Sequence, residues 1–154
     1  VAVEAIRPDV AIVHAQRADA EGNTHLWGNL GVTAEAVRAA RRVIVSCEEV
    51  VSPDVIRSDP NRTIIPGFLV AAVVVEPWGA HPSPLQGYAK RDDAFYVDYH
   101  THSRSRAGFE TWLHTWVLEV RDRREYLARL GTSRLRQLQV TRRVPAAPVD
   151  YGWA

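Results

Sequence analysis

The sequence has very little cysteine, methionine or lysine. Its 154 residues include one cysteine, Cys47, no methionine, and one lysine, Lys90, among nineteen basic residues. A single cysteine excludes an intrachain disulfide and suits a reducing compartment, so we expect a cytoplasmic protein. Cys47 ends the apolar run that starts at Val43, which favours a buried thiol over a nucleophile.

Long apolar runs and excess charge are also missing. No run reaches the roughly 18 to 20 apolar residues of a membrane span, and the first residues lack the pattern of a secretory signal. The net charge is +1, which gives no reason to expect nucleic acid or a membrane surface as a partner. The chain starts at Val1 without an initiator methionine, as expected of a piece of a longer protein or of a processed terminus.

Short apolar runs alternate with amphipathic ones along the first half. Continuous apolar strands that alternate with helices predict an α/β fold with an open, mostly parallel sheet and flanking helices. The predicted strands span residues 10–14, 24–27, 43–47 and 72–76, and the predicted helices span residues 34–42, 67–71, 109–120 and 122–130.

Two stretches do not fit this pattern. Residues 77–105 combine proline, glycine, aromatic residues and histidine without a period, and a long irregular segment inside a compact domain is more often functional than accidental. From residue 132 the chain is rich in arginine and then in proline. The sequence therefore predicts one partial domain over residues 1–131 and a poorly ordered tail over residues 132–154.

Three blocks resemble the α subunits of family I coenzyme A transferases. Residues 8–23 resemble the family's strand followed by Ala-Asp and Gly-Asn turns, and residues 43–51 resemble its strand ending in a Glu-Glu pair. Residues 79–83, with Gly87-Tyr88 and residues 91–96 after them, are similar to the glutaconate CoA-transferase α group. They are also similar to the α subunit of the steroid-ring-opening CoA hydrolases, which share the His-Leu-Trp-Gly at residues 25–28. The similarity covers residues 8–130.

This resemblance implies the carboxyl-terminal half of an α subunit in a heteromeric enzyme that acts on acyl-CoA. It implies CoA as a substrate moiety, no permanently bound cofactor, and a β subunit that supplies the nucleophilic glutamate. The implied reaction is transfer of CoA between carboxylates. The alternative is hydrolytic opening of a ring in a cyclic β-keto acyl-CoA of steroid breakdown. The family's glycine-rich loop lies in the amino-terminal half, so no catalytic residue is assigned in this chain.

The resemblance points to the segment around Gly79 as the substrate-binding wall. Glycine permits close backbone approach, and His81 and Ser83 carry groups that can hydrogen-bond a carboxylate or thioester oxygen. Gly79, Ala80, His81 and Ser83 are therefore predicted substrate-binding residues. The alternative is a rigid surface loop.

Three further residues are substrate-binding candidates. Glu48 and Glu49 are adjacent at a strand end, so their side chains point to opposite faces and only one can enter a cleft at the carboxyl edge of the sheet. Glu48 is the candidate, and the alternative is that one glutamate pairs with an arginine and the other is solvated. Tyr88 is a candidate for holding substrate or the partner polypeptide. Asn23 follows the first strand, where a loop-closing role explains it equally well.

A motif at residues 98–102 suggests a different class of protein. In a strand, His100 and His102 would project to one face and could share a metal. Asp-x-His-x-His resembles the opening motif of PHP-type phosphoesterases, but too few ligand residues follow it here, so we predict no metal site.

A third possibility is a non-catalytic subunit in which Trp112 and Trp116 form the surface that packs against a partner. The other interpretation is that these two tryptophans lie in the core.

Overall fold

The computed structural model describes residues 2–140. These residues form two compact units, one of residues 2–80 and 85–88 and the other of residues 81–84 and 89–140. Within the described residues, no helix combines the length and the apolar character that crossing a membrane requires.

The first unit contains a five-stranded open sheet. Its strands, in the order β4-β2-β1-β3-β5, are β1 (Val10–Ala18), β2 (Thr24–His25), β3 (Arg42–Val50), β4 (Thr63–Ile65) and β5 (Val70–Val75). Strand β3 runs parallel to both β1 and β5, whereas β2 is antiparallel to β1 and β4. The prediction of an open, mostly parallel sheet in an α/β fold is confirmed.

One face of this sheet forms the hydrophobic core. Because side chains alternate along a strand, Val43, Val45 and Cys47 all point to the same face of β3, and each is at most 1% exposed. Helix α1 (Thr33–Ala39) contributes Val37 to this cluster. The Cys47 thiol is buried as expected, and this burial raises its pKa.

The turn after β1 is closed by side chains. Asp19 Oδ1 accepts hydrogen bonds from the backbone N–H groups of Glu21 and Asn23. The Asn23 Oδ1 accepts one from the backbone N–H of Gly67. A Cβ on Gly67 would lie 2.3 Å from the Glu21 carbonyl oxygen, so this close approach requires glycine.

Short helical segments connect the remaining strands. Helix α2 (Pro53–Arg57) begins with a proline in its first turn, where a missing N–H removes no intrahelical bond. A 3-10 turn at Pro60–Arg62 precedes β4, and another at Gly67–Leu69 precedes β5. The second of these falls where the sequence predicts a short helix.

The second unit is helical. It contains α3 (Asp93–His102), α4 (Arg106–Leu113), a π-helical turn (His114–Leu118), α5 (Arg123–Leu130) and α6 (Thr132–Leu138). A side-chain oxygen caps three of the helices, because Asp92, Ser105 and Asp122 accept from the backbone N–H three residues later. Gly131 ends α5 with φ of +81°, as the sequence predicts.

Two helices lie where the sequence predicts irregular structure. Helix α3 occupies part of the segment over residues 77–105, although its histidine, aromatic and β-branched residues are weak helix formers. The Asp92 cap and the burial of Phe95, which is 4% exposed, stabilise it. Helix α6 covers the start of the predicted tail, where Leu138 is 8% exposed, so that part of the prediction is wrong. Residues 141–154 lie outside the described residues.

Aromatic rings form the centre of the second unit. Phe95 contacts Trp112, Trp116 and Tyr126 edge-on, at centroid distances of 5.5, 4.9 and 6.5 Å. Trp112 and Trp116 are half-buried there, which favours the core interpretation. At the spacing of the α-helix predicted over residues 109–120, Val117 would share the face of Trp112 and Trp116, but its side chain is 51% exposed. The π-helical turn has more residues per turn than an α-helix, and it therefore turns Val117 away from that face.

Candidate functional site

The two glutamates at the end of β3 have different partners. The Glu48 Oε1 lies 3.1 Å from His14 Nε2 and accepts a 2.8 Å hydrogen bond from the backbone N–H of Trp78. The Tyr88 hydroxyl donates to a carboxylate oxygen of Glu49. The two side chains therefore diverge to opposite faces of the strand, as the sequence predicts.

A polar cluster surrounds Glu48 on the face of the sheet opposite the apolar core. His14 on β1 is directly opposite Ser46 on β3, and the His14 Nδ1 lies 3.0 Å from the Ser46 Oγ. The side chains of His14 and Glu48 are only 14% and 11% exposed. Both nitrogens of the imidazole ring are thus engaged, one by each β3 side chain.

The chain turns tightly over this cluster after β5 ends. Trp78 adopts φ of +66°, a left-handed conformation that is uncommon for a non-glycine residue. Gly79 donates its N–H to the Glu76 carbonyl oxygen at 3.0 Å. A Cβ on Gly79 would lie 2.4 Å from His14 Cε1. The close backbone approach predicted for Gly79 is therefore an approach to His14, and Ala80 continues the turn as a half-buried residue.

Tyr88 lies beside an aromatic ring held by arginines. Its ring centroid is 6.2 Å from that of Trp27, and the guanidinium groups of Arg17 and Arg62 lie 5.5 and 4.8 Å from the Trp27 centroid. Such cation–π contacts orient the indole. Tyr88 is consequently placed near the carboxyl end of β3 through Glu49 on one side and Trp27 on the other.

Asn23 belongs to the turn and not to this polar cluster. Its side-chain nitrogen donates to the Asp19 Oδ2 at 3.0 Å, and its oxygen accepts from Gly67. With both ends of the amide engaged, the loop-closing role fits Asn23 better than substrate binding.

His81 and Ser83 belong to the second unit, where His81 is internal. The His81 Nδ1 lies 2.6 Å from the Tyr126 hydroxyl, and its Nε2 lies 2.9 Å from the Asp92 Oδ2. Its side chain is 2% exposed. Because both ring nitrogens are engaged, His81 has none left for a substrate oxygen in this conformation. The Ser83 hydroxyl is exposed and lies 2.8 Å from that of Tyr96.

Asp92 connects this histidine to an arginine. Arg134 donates to both Asp92 oxygens, at 2.6 and 2.8 Å. Burial raises the pKa of Asp92, but the hydrogen bonds from Arg134 and His81 outweigh burial and lower the pKa to about 2. Burial lowers the pKa of His81, although Asp92 acts in the opposite direction. The pair is therefore a neutral imidazole bonded to a carboxylate at neutral pH.

The hypothesis of a metal motif at residues 98–102 assumed a strand and is wrong. These residues lie in helix α3, where positions two apart point in nearly opposite directions, so His100 and His102 do not share a face. The His102 Nδ1 instead lies 2.9 Å from the Asp98 carbonyl oxygen. Residues 2–140 contain no group of three or more His, Cys, Asp or Glu side chains arranged to hold a metal ion.

Two residues of the polar cluster, His14 and Ser46, were missed by the sequence reasoning. A signal for both exists, because each strand carries polar residues two apart within an otherwise apolar run: His14 and Gln16 on β1, and Ser46 and Glu48 on β3. In neighbouring parallel strands this pattern places the polar residues together on one face of the sheet.

Comparison with known proteins identifies the class. The model of the Coenzyme A transferase family matches residues 1–76. The α subunit of glutaconate CoA-transferase from Acidaminococcus fermentans is 41% identical over 140 residues, which are 91% of this chain and 44% of that protein. The crystal structure of that enzyme superposes with a TM-score of 0.82 over 94% of this chain and 45% of the solved chain.

Two other relatives agree with this class. The α subunit of 3-oxoadipate CoA-transferase from Pseudomonas knackmussii is 40% identical, over 84% of this chain and 45% of that protein. The IpdA subunit of the cholesterol ring-cleaving hydrolase from Mycobacterium tuberculosis is 27% identical, over 76% of this chain and 41% of that protein. The chain belongs to the coenzyme A transferase family and is homologous to its α subunits. It spans less than half the length of these relatives.

Proposed function

We propose that this chain forms part of the α subunit of a heteromeric enzyme that transfers CoA between carboxylates. The observation that carries the proposal is the fold match to glutaconate CoA-transferase, which extends over nearly the whole chain at 39% identity. The proposed partners are an acyl-CoA and a β subunit, with CoA entering as a substrate moiety. We also propose a cytoplasmic location, in keeping with the single buried thiol.

The reaction follows from the carboxylate chemistry of this family. A glutamate supplied by the β subunit attacks the thioester carbonyl carbon, and the CoA thiolate leaves. The thiolate then attacks the glutamyl carbonyl of the resulting anhydride, which releases the donor carboxylate and leaves a glutamyl thioester. An acceptor carboxylate reverses the two steps and departs as the new acyl-CoA. This chain contributes binding and orientation.

The proposed site is at the carboxyl end of β3 and β5, where ligands of open parallel sheets bind. Glu48, Gly79, Ala80 and Tyr88 form this part of the site. Asn23 supports it by closing the turn after β1. We assign His81 to the packing of the second unit, because its contacts are internal. Ser83, whose exposed hydroxyl lies beside that of Tyr96, stays a predicted substrate-binding residue.

The test uses the full-length α chain in complex with the β chain. Two or more acyl-CoA donors, including glutaconyl-CoA and 3-oxoadipyl-CoA, are supplied with and without acetate as acceptor. We expect acetyl-CoA to form only when acetate is present, with a CoA thioester on the β chain trapped in its absence. The proposal would be contradicted if none of the donors gave acceptor-dependent formation of acetyl-CoA.

The similarity to the IpdA subunit favours a second candidate, hydrolytic ring opening of a cyclic β-keto acyl-CoA. The identity to IpdA is 27%, against about 40% for the two transferase subunits. The same assay, given a cyclic β-keto acyl-CoA as an additional substrate, separates the two reactions. Ring opening proceeds with water as the co-substrate and is indifferent to acetate, whereas CoA transfer depends on the acceptor.

A further inference from the structure

We propose that His14 is a positioning residue for the acyl-CoA site. It holds Glu48 and, through Glu48, the Trp78–Gly79 turn at the carboxyl end of β3. This inference rests on the function proposed above. It assigns a role to a residue in the middle of strand β1, away from the carboxyl end of that strand.

A chain of hydrogen bonds runs from strand β3 through His14 to the turn after β5. Ser46 holds the His14 Nδ1 at 3.0 Å, and the opposite nitrogen, Nε2, reaches the Glu48 Oε1 at 3.1 Å. That same oxygen accepts the Trp78 N–H at 2.8 Å. His14 and Trp78 therefore meet at a single oxygen atom, so the position of the imidazole determines where the Trp78 backbone can be held.

His14 also contacts the turn directly, through close packing against Gly79. Gly79 packs so closely over the imidazole that a Cβ would lie within 2.4 Å of His14 Cε1 and 2.5 Å of Nδ1. The turn therefore packs directly on the imidazole ring. A side chain at position 14 that is larger or smaller than imidazole would shift the backbone of Gly79.

The conformation of Trp78 explains why such support is needed. A non-glycine residue in the left-handed region is strained and persists only where its surroundings hold it. The hydrogen bond to Glu48 holds the Trp78 N–H in that geometry. Without it, the turn can relax toward the right-handed region and shift the backbone that follows.

The first test measures the turn directly. Amide hydrogen exchange is followed in the assembled full-length enzyme for wild type, His14→Leu, His14→Gln and Glu48→Gln. We expect faster exchange at the Trp78 amide in His14→Leu. His14→Gln retains a donor for Glu48, and Glu48→Gln retains an acceptor for the Trp78 N–H. Both glutamine variants should keep the protection.

An internal control distinguishes loss of the turn from loss of the fold. The Val51 amide donates to the Ala18 carbonyl oxygen at 2.8 Å, at the same end of the sheet and outside the polar cluster. The protection of the Val51 amide should match wild type in all three variants. Unchanged exchange at Trp78 in His14→Leu would overturn the inference.

The second test separates positioning from a purely structural role. Small displacements of positioning groups lower rates by about 10²-fold, so we expect a loss of that order in kcat for CoA transfer by His14→Leu. KM for the acyl-CoA should change far less, and His14→Gln should recover most of the rate. Faster Trp78 exchange with full kcat would assign His14 to stability alone and overturn the proposal. An inactive wild type would instead contradict the proposed function.

Discussion

Several polar side chains of the described residues are held by hydrogen bonds to charged groups. Tyr88 is an example, because its hydroxyl donates to the Glu49 carboxylate. Hydrogen bonds to charged groups contribute about 1.5–3 kcal/mol when both partners are withdrawn from water. Tyr88 is half-buried, so we expect Tyr88→Phe to lower the free energy of unfolding by about 1–2 kcal/mol.

Tyr96→Phe is the matched control for Tyr88→Phe. The Tyr96 hydroxyl contacts that of Ser83, which is exposed and neutral, so its removal should change stability by less than about 0.5 kcal/mol. Urea unfolding followed by fluorescence measures both variants. Equal effects of the two substitutions would contradict a special role for the Tyr88–Glu49 hydrogen bond.

Asp92 is the residue on which the second unit's polar network depends. It is 2% exposed and joins Arg134 and His81 while capping α3 through the Phe95 N–H. Asp92→Asn keeps the size and the cap oxygen but loses the charge that pairs with Arg134. We expect a loss of about 2–3 kcal/mol in the free energy of unfolding.

The neighbouring acid provides the comparison for Asp92. Asp93 pairs with Arg91 at 2.8 Å, but its side chain is 81% exposed, and exposed ion pairs contribute about 0–1 kcal/mol. Asp93→Asn should therefore unfold within about 0.5 kcal/mol of wild type. If both variants lost the same stability, burial of the Asp92 network would not be the cause.

At the scale of elements, the turn after β5 shows how one glycine sets the approach of a segment to a sheet. We expect Gly79→Ala to cost about 1–3 kcal/mol, because overpacked sites must move backbone or side chains apart. Besides His14, the new Cβ would meet the Glu76 carbonyl oxygen at 2.9 Å, so movement of the ring alone cannot relieve the contact.

Gly31→Ala separates steric contact from backbone strain. Gly31 has φ of +53° but no atom within 4 Å of the position that a Cβ would take, so alanine there carries only the cost of the left-handed conformation, about 1 kcal/mol. Thermal unfolding of Gly79→Ala and Gly31→Ala measures the two costs. Gly79→Ala should also increase exchange at the Trp78 amide, which Gly31→Ala should leave unchanged.

Strands and helices differ in how well their positions could be predicted. The strands β1, β3 and β5 were located because each combines β-branched residues in a continuous apolar run, which few other structures accommodate. The three-residue strand β4 (Thr63–Ile65) was missed. Helix α3 was missed because tertiary contacts of Phe95 and the Asp92 cap compensate for weak intrinsic propensity. Helix α6 was missed because its arginine-rich sequence has little apolar periodicity, although Leu138 is buried.

For the whole molecule, the pH dependence of stability follows from the buried pair in the second unit. The pKa of Asp92 is about 2 in the folded chain, below its ordinary value of 3.8. The unfolded state therefore binds a proton first as the pH falls. The stabilisation by Asp92 is complete well above pH 3.8 and is lost as the pH decreases toward 2.

His81 acts in the same direction at higher pH. Burial lowers its pKa below the ordinary 6.5, so the unfolded chain gains a proton that the folded chain resists. The free energy of unfolding should decrease from about pH 6.5 downward. Urea unfolding between about pH 7 and about pH 2.5 tests both effects. The acid part of the profile should flatten in Asp92→Asn and persist in Asp93→Asn; parallel profiles would contradict this account.

The sequence by itself determined the class of fold, the family and the divergence of Glu48 and Glu49. The fold class and the divergence of the two glutamates depend on local patterns: apolar runs, turn residues and the alternation of side chains along a strand. The family and the segment around Gly79 came from the resemblance of three sequence blocks, which did not reveal what that segment packs on.

Only the tertiary structure decided the roles of the polar residues. His14 meets Glu48 from 34 positions away, and His81 meets Tyr126 from 45 positions away. Hydrogen bonds extend only about 3 Å, so the availability of a side chain for substrate depends on which distant groups the fold brings within that range. Local sequence contains no direct record of those distances, and for this reason His81 was predicted as a ligand and His14 was overlooked.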